Sequence, residues 1–288
     1  MTSYDLHQHL WPPEFVAKLR SRHSAPRLSG DELETTEGRF AVDVAQNDLD
    51  ARLRLLDRDD IDIAVLSLQP SLGLDDLDET EREALETSWA EGVQELIEQA
   101  SGRLLAFSPS RSRPGFAGIS LGSTALLDLD RVASTLDTAA EARALVFVHP
   151  VAGTPTRTDR PVWWEWVVGY PARMQEAYVA WLAADRQRWP TLKMLFAMLG
   201  GGGPFQLERL ARRGIDVRSA LDPNTFFEVS THGRRAIELC IQTFGVDQIA
   251  YGSDTPVVDS QPTLDAVRGF GDAVRHVLQS DTPSRLLE

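Results

Sequence analysis

The chain has 288 residues and carries 29 basic against 43 acidic side chains. The resulting formal charge of −14 would repel phosphate backbones and anionic lipid, which argues against nucleic-acid and membrane partners. Its 42 % apolar and 25 % charged content is that of an ordinary globular protein, and its one cysteine, Cys240, excludes an intrachain disulfide framework and a cysteine-rich zinc knuckle. No apolar run is long enough to span a bilayer, and no basic region followed by an apolar core opens the chain, so a cytoplasmic protein is expected. Any metal must be held by nitrogen and oxygen.

The first predicted strand, YDLHQHL at 4–10, alternates, so His7 and His9 project to the same face just before Pro12 and Pro13. Alone, this pair is either half of a metal site or two ordinary polar residues at a strand end. Apolar runs then follow at 61–69 (IDIAVLSLQ), 103–110 (RLLAFSPS), 116–122 (FAGISLG), 144–150 (ALVFVHP), 192–199 (LKMLFAML), 225–231 (TFFEVST) and 249–256 (IAYGSDTP). Helical patterns lie between most of them, at 47–59, 79–99, 127–142, 163–188, 205–213 and 233–244, with 263–279 closing the series. Near-continuous apolar strands alternating with helices predict a parallel α/β sheet, and eight strands predict a (β/α)8 TIM barrel, read as one domain over 1–288. An open doubly wound sheet is the alternative, but no G-x-G-x-x-G follows the first strand. The short gap between strands three and four predicts an irregular crossover there.

In such barrels chemistry gathers at the C-terminal strand ends. His7 and His9 end strand one, His149 ends strand five, His232 follows strand seven and Asp254 ends strand eight. His23 and His276 close no predicted strand and read as surface residues. Three imidazoles and a carboxylate suit a borderline-soft divalent ion such as zinc, which makes a bound water acidic near neutral pH. Asp254 would then be both ligand and general acid/base, rather than only a turn former before Thr255 and Pro256.

Taken together, DLHQHLWPPEF, RLRLLDRDDIDIAVLSLQP, FVHP, LGGGGPF and YGSDTP resemble the amidohydrolase-related family that includes aminocarboxymuconate-semialdehyde decarboxylase and the resorcylate decarboxylases. The resemblance runs essentially from end to end. It implies a metallo-dependent-hydrolase barrel whose residues His7, His9, His149 and Asp254 ligate one divalent metal, zinc or sometimes manganese, with no organic cofactor. It also implies a homodimer. At strand six the family reads FAH before a glycine run, whereas this chain reads LFAMLGGGG, with Met198 in the place of the histidine that orients or deprotonates the water. A thioether cannot act as a base at neutral pH, so Met198 either fills space or packs against an apolar substrate edge. His232 could supply the missing acid/base group, or simply cap the next helix.

Trp163, Trp164 and Trp166 could wall a pocket for a flat ring, make a dimer contact or pack in the core. The run Gly200–Gly203 reads as an anion cradle or a turn. No P-loop motif occurs, and the two lysines, Lys18 and Lys193, occupy no strand-four position at which a carbamate could bridge a second metal. The expected function is hydrolysis of an amide, lactam or lactone in a small carboxylated or aromatic metabolite through metal-bound water. The alternatives are non-oxidative decarboxylation of an aromatic or unsaturated acid and, from another class, a degenerate barrel that binds a metabolite without turning it over.

Overall fold

The computed structural model describes residues 1–151, 153, 161, 163–184 and 186–288. Its strands, in chain order, are β1 (Tyr4–Gln8), β2 (Arg27–Ser29), β3 (Glu32–Thr35), β4 (Gly38–Ala41), β5 (Ile63–Leu66), β6 (Leu104–Pro109), β7 (Gly118–Gly122), β8 (Leu145–His149), β9 (Met194–Phe196), β10 (Thr225–Glu228) and β11 (Ile249–Ala250). Eight of them form one parallel sheet in the order β1-β5-β6-β7-β8-β9-β10-β11. The segments IAVL, LVFVH, MLF and TFFE are buried almost without a break, as strands covered on both faces must be.

β11 is too short to pair with β1 along a ladder, so single hydrogen bonds close the ring. Leu6 N–H donates to Tyr251 O (3.0 Å), Asp254 N–H to His7 O (2.8 Å) and His9 N–H to Thr255 O (2.7 Å). A parallel bridge joins Gln8 to Thr255. The architecture is the (β/α)8 TIM barrel. The bonds that close it also bring His7 and His9 beside Asp254, at the C-terminal rim where such barrels carry their chemistry.

Register explains the floor of that rim. Gly122 pairs with His149, and Ser120 with Phe147 one layer below. The Phe147 ring lies 5.3 Å from Phe107 and 4.9 Å from His7, filling the interior beneath the histidines. A Cβ at Gly118 would strike the Leu145 carbonyl oxygen and crowd Phe107, so glycine there admits the larger ring. Outside the sheet, the helices Leu49–Asp59, Glu79–Gln99 and Leu129–Ala142 each begin at an aspartate, Asp48, Asp78 or Asp128, whose side chain accepts a first-turn N–H.

All eight expected strands are present, and β6 and β7 are joined without a helix, as the short gap predicts. Four features depart from the expected pattern. Pro13 begins a helix, Pro13–Ser21, because proline at the first helical position gives up no hydrogen bond. Residues 27–41 form an antiparallel three-stranded sheet, β2-β3-β4, unseen in a search for strand–helix alternation. The closing helix is broken at Gly271 (φ 90°) into Gln261–Arg268 and Asp272–His276, followed by a π-helical turn, Val277–Asp281, and Thr282–Leu287. The helix expected over 163–188 appears as a π-helical turn, Glu165–Gly169, then Tyr170–Ala183; position 185 lies outside the described residues.

The glycine run after β9 is a left-handed turn. Met198, Leu199, Gly200, Gly201 and Gly202 all have positive φ, from 52° to 81°. A Cβ at Gly201 would fall on the Pro171 carbonyl oxygen and come within 2.6 Å of Gln175 N. Gly201→Ala is therefore expected to cost at least about 1–3 kcal/mol in backbone strain alone. For a chain of this size that lowers Tm by about 2–4 °C per kcal/mol, read in a thermal melt; an unchanged Tm would contradict the packing described.

Candidate metal centre

The four groups singled out at the strand ends meet. Atoms of His7, His9, His149 and Asp254 that can bind a metal all lie within 4.8 Å of one another. His9 Nε2 is 3.1 Å from His7 Nε2, 3.3 Å from His149 Nε2 and 3.0 Å from Asp254 Oδ1, and His7 Nε2 is 3.5 Å from the same oxygen. The rings stand nearly edge-on to each other, at 88°, 82° and 74°. All three histidines are buried, while the Asp254 side chain is 16 % exposed.

The outward nitrogens decide what faces the centre. His9 Nδ1–H donates to Ser67 O (2.8 Å), His149 Nδ1–H to Pro150 O (2.7 Å) and His7 Nδ1–H to Glu228 Oε1 (3.1 Å). A carbonyl or carboxylate oxygen can only accept, so each neutral ring carries its proton outside and turns the Nε2 lone pair inward. Burial pushes the His9 imidazolium down, and burial together with the charges on His7 and His9 pushes that of His149 well below its usual value. Neutral imidazole is the ligating form. Three nitrogen lone pairs and a carboxylate oxygen pressed together repel unless a cation sits among them.

Charge leads to the same place. Burial pushes His7 down, but the carboxylates of Glu228 and Asp254 outweigh it and leave the ring above its ordinary value. Two carboxylates and three neutral rings are balanced by a charge of +2. Nitrogen and oxygen donors of this kind suit a divalent metal.

Sequence reasoning missed the groups behind the ligands. Glu228, at the end of β10, is completely buried and holds His7. Burial pushes its carboxyl up, but the His7 charge and hydrogen bonds from His7, Ser230 and Met198 bring it below its ordinary value. Asp5 accepts from the backbone N–H of His7 (3.2 Å) and of Ser253 (3.0 Å), and from Gln8 Nε2 (2.7 Å). Gln8 Oε1 accepts from Arg52 Nη1 (2.9 Å), and Arg52 Nη2 donates to His9 O (2.9 Å). Burial pushes Asp5 up to about 6 and Arg52 down to about 10.

Of the remaining expected site residues, Met198 is tied to this centre through Glu228. Met198, buried at the end of β9, donates its N–H to Glu228 Oε1. His232 Nδ1–H donates to Ser230 O (2.8 Å), which leaves Nε2 as an acceptor; among the described residues no hydrogen bond or ion pair joins His232 to Asp254. Trp163 packs on Trp164 (5.9 Å) and Trp166 on Phe40 of β4 (6.1 Å), and both Trp163 and Trp166 are about half exposed. Val162, at the start of that aromatic run, lies outside the described residues. The Gly200 and Gly203 N–H groups are spent within their own turn, on Ala197 O and Gly200 O, and cradle no anion.

No family model matches the chain. Among curated proteins, 2-amino-3-carboxymuconate-6-semialdehyde decarboxylase of Dictyostelium discoideum is 24 % identical over 253 residues, 76 % of this chain and 70 % of that one. Over most of its length the chain is similar to this aminocarboxymuconate-semialdehyde-decarboxylase-like branch of the amidohydrolase superfamily. Two solved structures share the barrel. The 5-carboxyvanillate decarboxylase of Sphingomonas paucimobilis superposes with a TM-score of 0.78 at 15 % identity, over 99 % of this chain and 98 % of that one. A dihydroxybenzoic acid decarboxylase of Polaromonas, crystallised with manganese and the inhibitor 2-nitroresorcinol, gives 0.74 at 16 % identity, over 99 % and 96 %. No helix among the described residues is long and apolar enough to cross a membrane.

Proposed function

We propose that the protein is a non-oxidative decarboxylase of a small aromatic or unsaturated carboxylic acid, with His7, His9, His149 and Asp254 holding one divalent cation, zinc or manganese. The observation that carries this reading is the convergence of three inward Nε2 lone pairs and Asp254 Oδ1, each ring locked by an acceptor behind it. The cation supplies a Lewis acid that anchors the substrate's oxygen atoms and stabilises charge developing beside them. Hydrolysis, the first expectation from sequence, is the less supported branch. The relatives whose names give a substrate are decarboxylases, and Met198 offers no base to deprotonate water.

Asp254 Oδ1 faces the histidines, and among the described residues no hydrogen bond engages Oδ2. In this reading Asp254 relays a proton, taken up from solvent, to the carbon that bears the carboxylate. The bond from that carbon to the carboxyl carbon breaks, its electron pair stays on the substrate carbon to take up the proton, and carbon dioxide leaves. Trp163, Trp164, Trp166 and the Met198 side chain serve as the apolar wall against a flat substrate. The direct test is carbon dioxide release from a panel of hydroxybenzoates and unsaturated acids by the metal-loaded protein. Release from at least one acid supports the reading; hydrolysis of a lactone or amide panel with no carbon dioxide from any acid overturns it.

His232, with Nδ1 pinned and Nε2 free to accept, is proposed as the second proton-handling group at the rim. His232→Asn should then cut kcat by about 10²–10⁴-fold, the range of acid–base assistance. A fall of only a few fold would leave His232 a loop residue ahead of the helix Arg234–Phe244, whose N-cap is Gly233.

A further inference from the structure

We propose that Glu228 is the positioning residue of the metal centre, fixing the orientation and tautomer of His7 and tying that ligand to the left-handed turn after β9; the inference rests on the metal reading above. The Glu228 carboxylate is fully buried yet accepts four hydrogen bonds. Oε1 takes His7 Nδ1–H (3.1 Å), Met198 N–H (2.7 Å) and Ser230 Oγ–H (2.6 Å), and Oε2 takes Ser230 N–H (2.7 Å). Burying a carboxylate is costly, and a residue needed only to fill this part of the barrel would be apolar. Four donors aimed at it, one of them a ligand ring, mark a group kept for its charge and shape.

Two further features single out this contact. His9 and His149 rest on backbone carbonyls, Ser67 O and Pro150 O, whereas His7 alone rests on an anion. A carboxylate behind the ring makes Nε2 the more electron-rich donor, and such partners govern metal affinity without touching the ion. Gly252 is the second feature. A Cβ there would fall on Glu228 Oε2 and come within 2.8 Å of His7 Cβ, so only glycine lets the carboxylate and the ring meet. Through the Met198 N–H, Glu228 Oε1, the oxygen that accepts from His7, also holds the first residue of the strained turn at φ 53°. The ligand on β1 and the turn after β9 therefore share one anchor.

The test is metal affinity by competition with a coloured chelator, using zinc and manganese, on folded Glu228→Gln and Glu228→Asp proteins, with Tm of each metal-free protein measured alongside. Glu228→Gln should weaken affinity by roughly 10–100-fold, the usual effect of losing such a partner. Glu228→Asp, which keeps the charge but retracts it by one methylene, should fall between it and wild type. If the Gln variant does not fold, the Asp variant carries the test, with a loss of at least threefold expected. A purely structural role would lower Tm while leaving the affinity of the folded protein within threefold of wild type, and that result would overturn the proposal. A wild-type protein that binds neither metal would instead sink the metal reading itself, so the two failures are distinguishable.

Discussion

Replacing His149 with alanine should leave a folded barrel that has lost its metal. His149 supplies one of the three inward lone pairs, and its other nitrogen is satisfied by the carbonyl of the adjacent Pro150, so the substitution removes a ligand while leaving only a short-range hydrogen bond unmade. The effect on affinity should exceed the roughly 10–100-fold that loss of a supporting partner costs, because the donor itself is gone. A protein saturated at 100 times its Kd gains about 2.7 kcal/mol from the ligand, so wild type should show a metal-dependent rise in Tm that the variant lacks at the same concentration. Equal metal content in the two proteins, or an equal rise in Tm, would contradict the ligand assignment.

Asp254→Asn is expected to have the largest effect on turnover. The amide keeps the shape of the side chain and can still present an oxygen to the cluster, but it removes one of the two negative charges that balance a divalent cation and cannot deliver a proton. Loss of acid–base assistance alone lowers kcat by about 10²–10⁴-fold. The backbone here is already committed: Asp254 sits at φ 66°, where asparagine is tolerated as well as aspartate, and its N–H is bonded to His7 O, so the loop should survive. The measurement is single-turnover carbon dioxide release at saturating metal. A variant that binds metal and substrate yet turns over within tenfold of wild type would remove Asp254 from the proton path.

The four clustered groups were legible because strand periodicity and barrel topology each constrain them. His7 and His9 are two apart on an alternating strand, and His149 and Asp254 end other strands of the same barrel, so one rim collects all four. Glu228 was hidden in FFEVST, where it reads as one polar residue near a strand end. Its signal was a charge at an inward position of an otherwise buried strand, which a packed barrel interior tolerates only when paired. Arg52 was hidden differently. In RLRLLDRD it resembles the exposed face of an amphipathic helix, yet Arg52, Leu56 and Asp59 form the buried stripe. The carbonyls of His9 and Gln46 and the side chain of Gln8 explain a buried guanidinium.

The sheet β2-β3-β4 carried clear local signals in Ser29-Gly30-Asp31 and Thr36-Glu37-Gly38 between short alternating runs. It was missed because an insertion between β1 and β5 obeys no strand–helix rhythm. Its tip reaches the loops beside the metal centre: Glu37 accepts from Gly153 N–H (2.8 Å) and Tyr170 Oη–H (2.6 Å). That contact lies far outside any local pattern.

A crystal of the protein soaked in zinc or manganese and measured at the absorption edge of that metal tests the central claim most directly. The expected result is one anomalous peak among His7 Nε2, His9 Nε2, His149 Nε2 and Asp254 Oδ1, within coordination distance of all four. A soaked crystal with no peak there, or with metal bound only elsewhere on the surface, would contradict it.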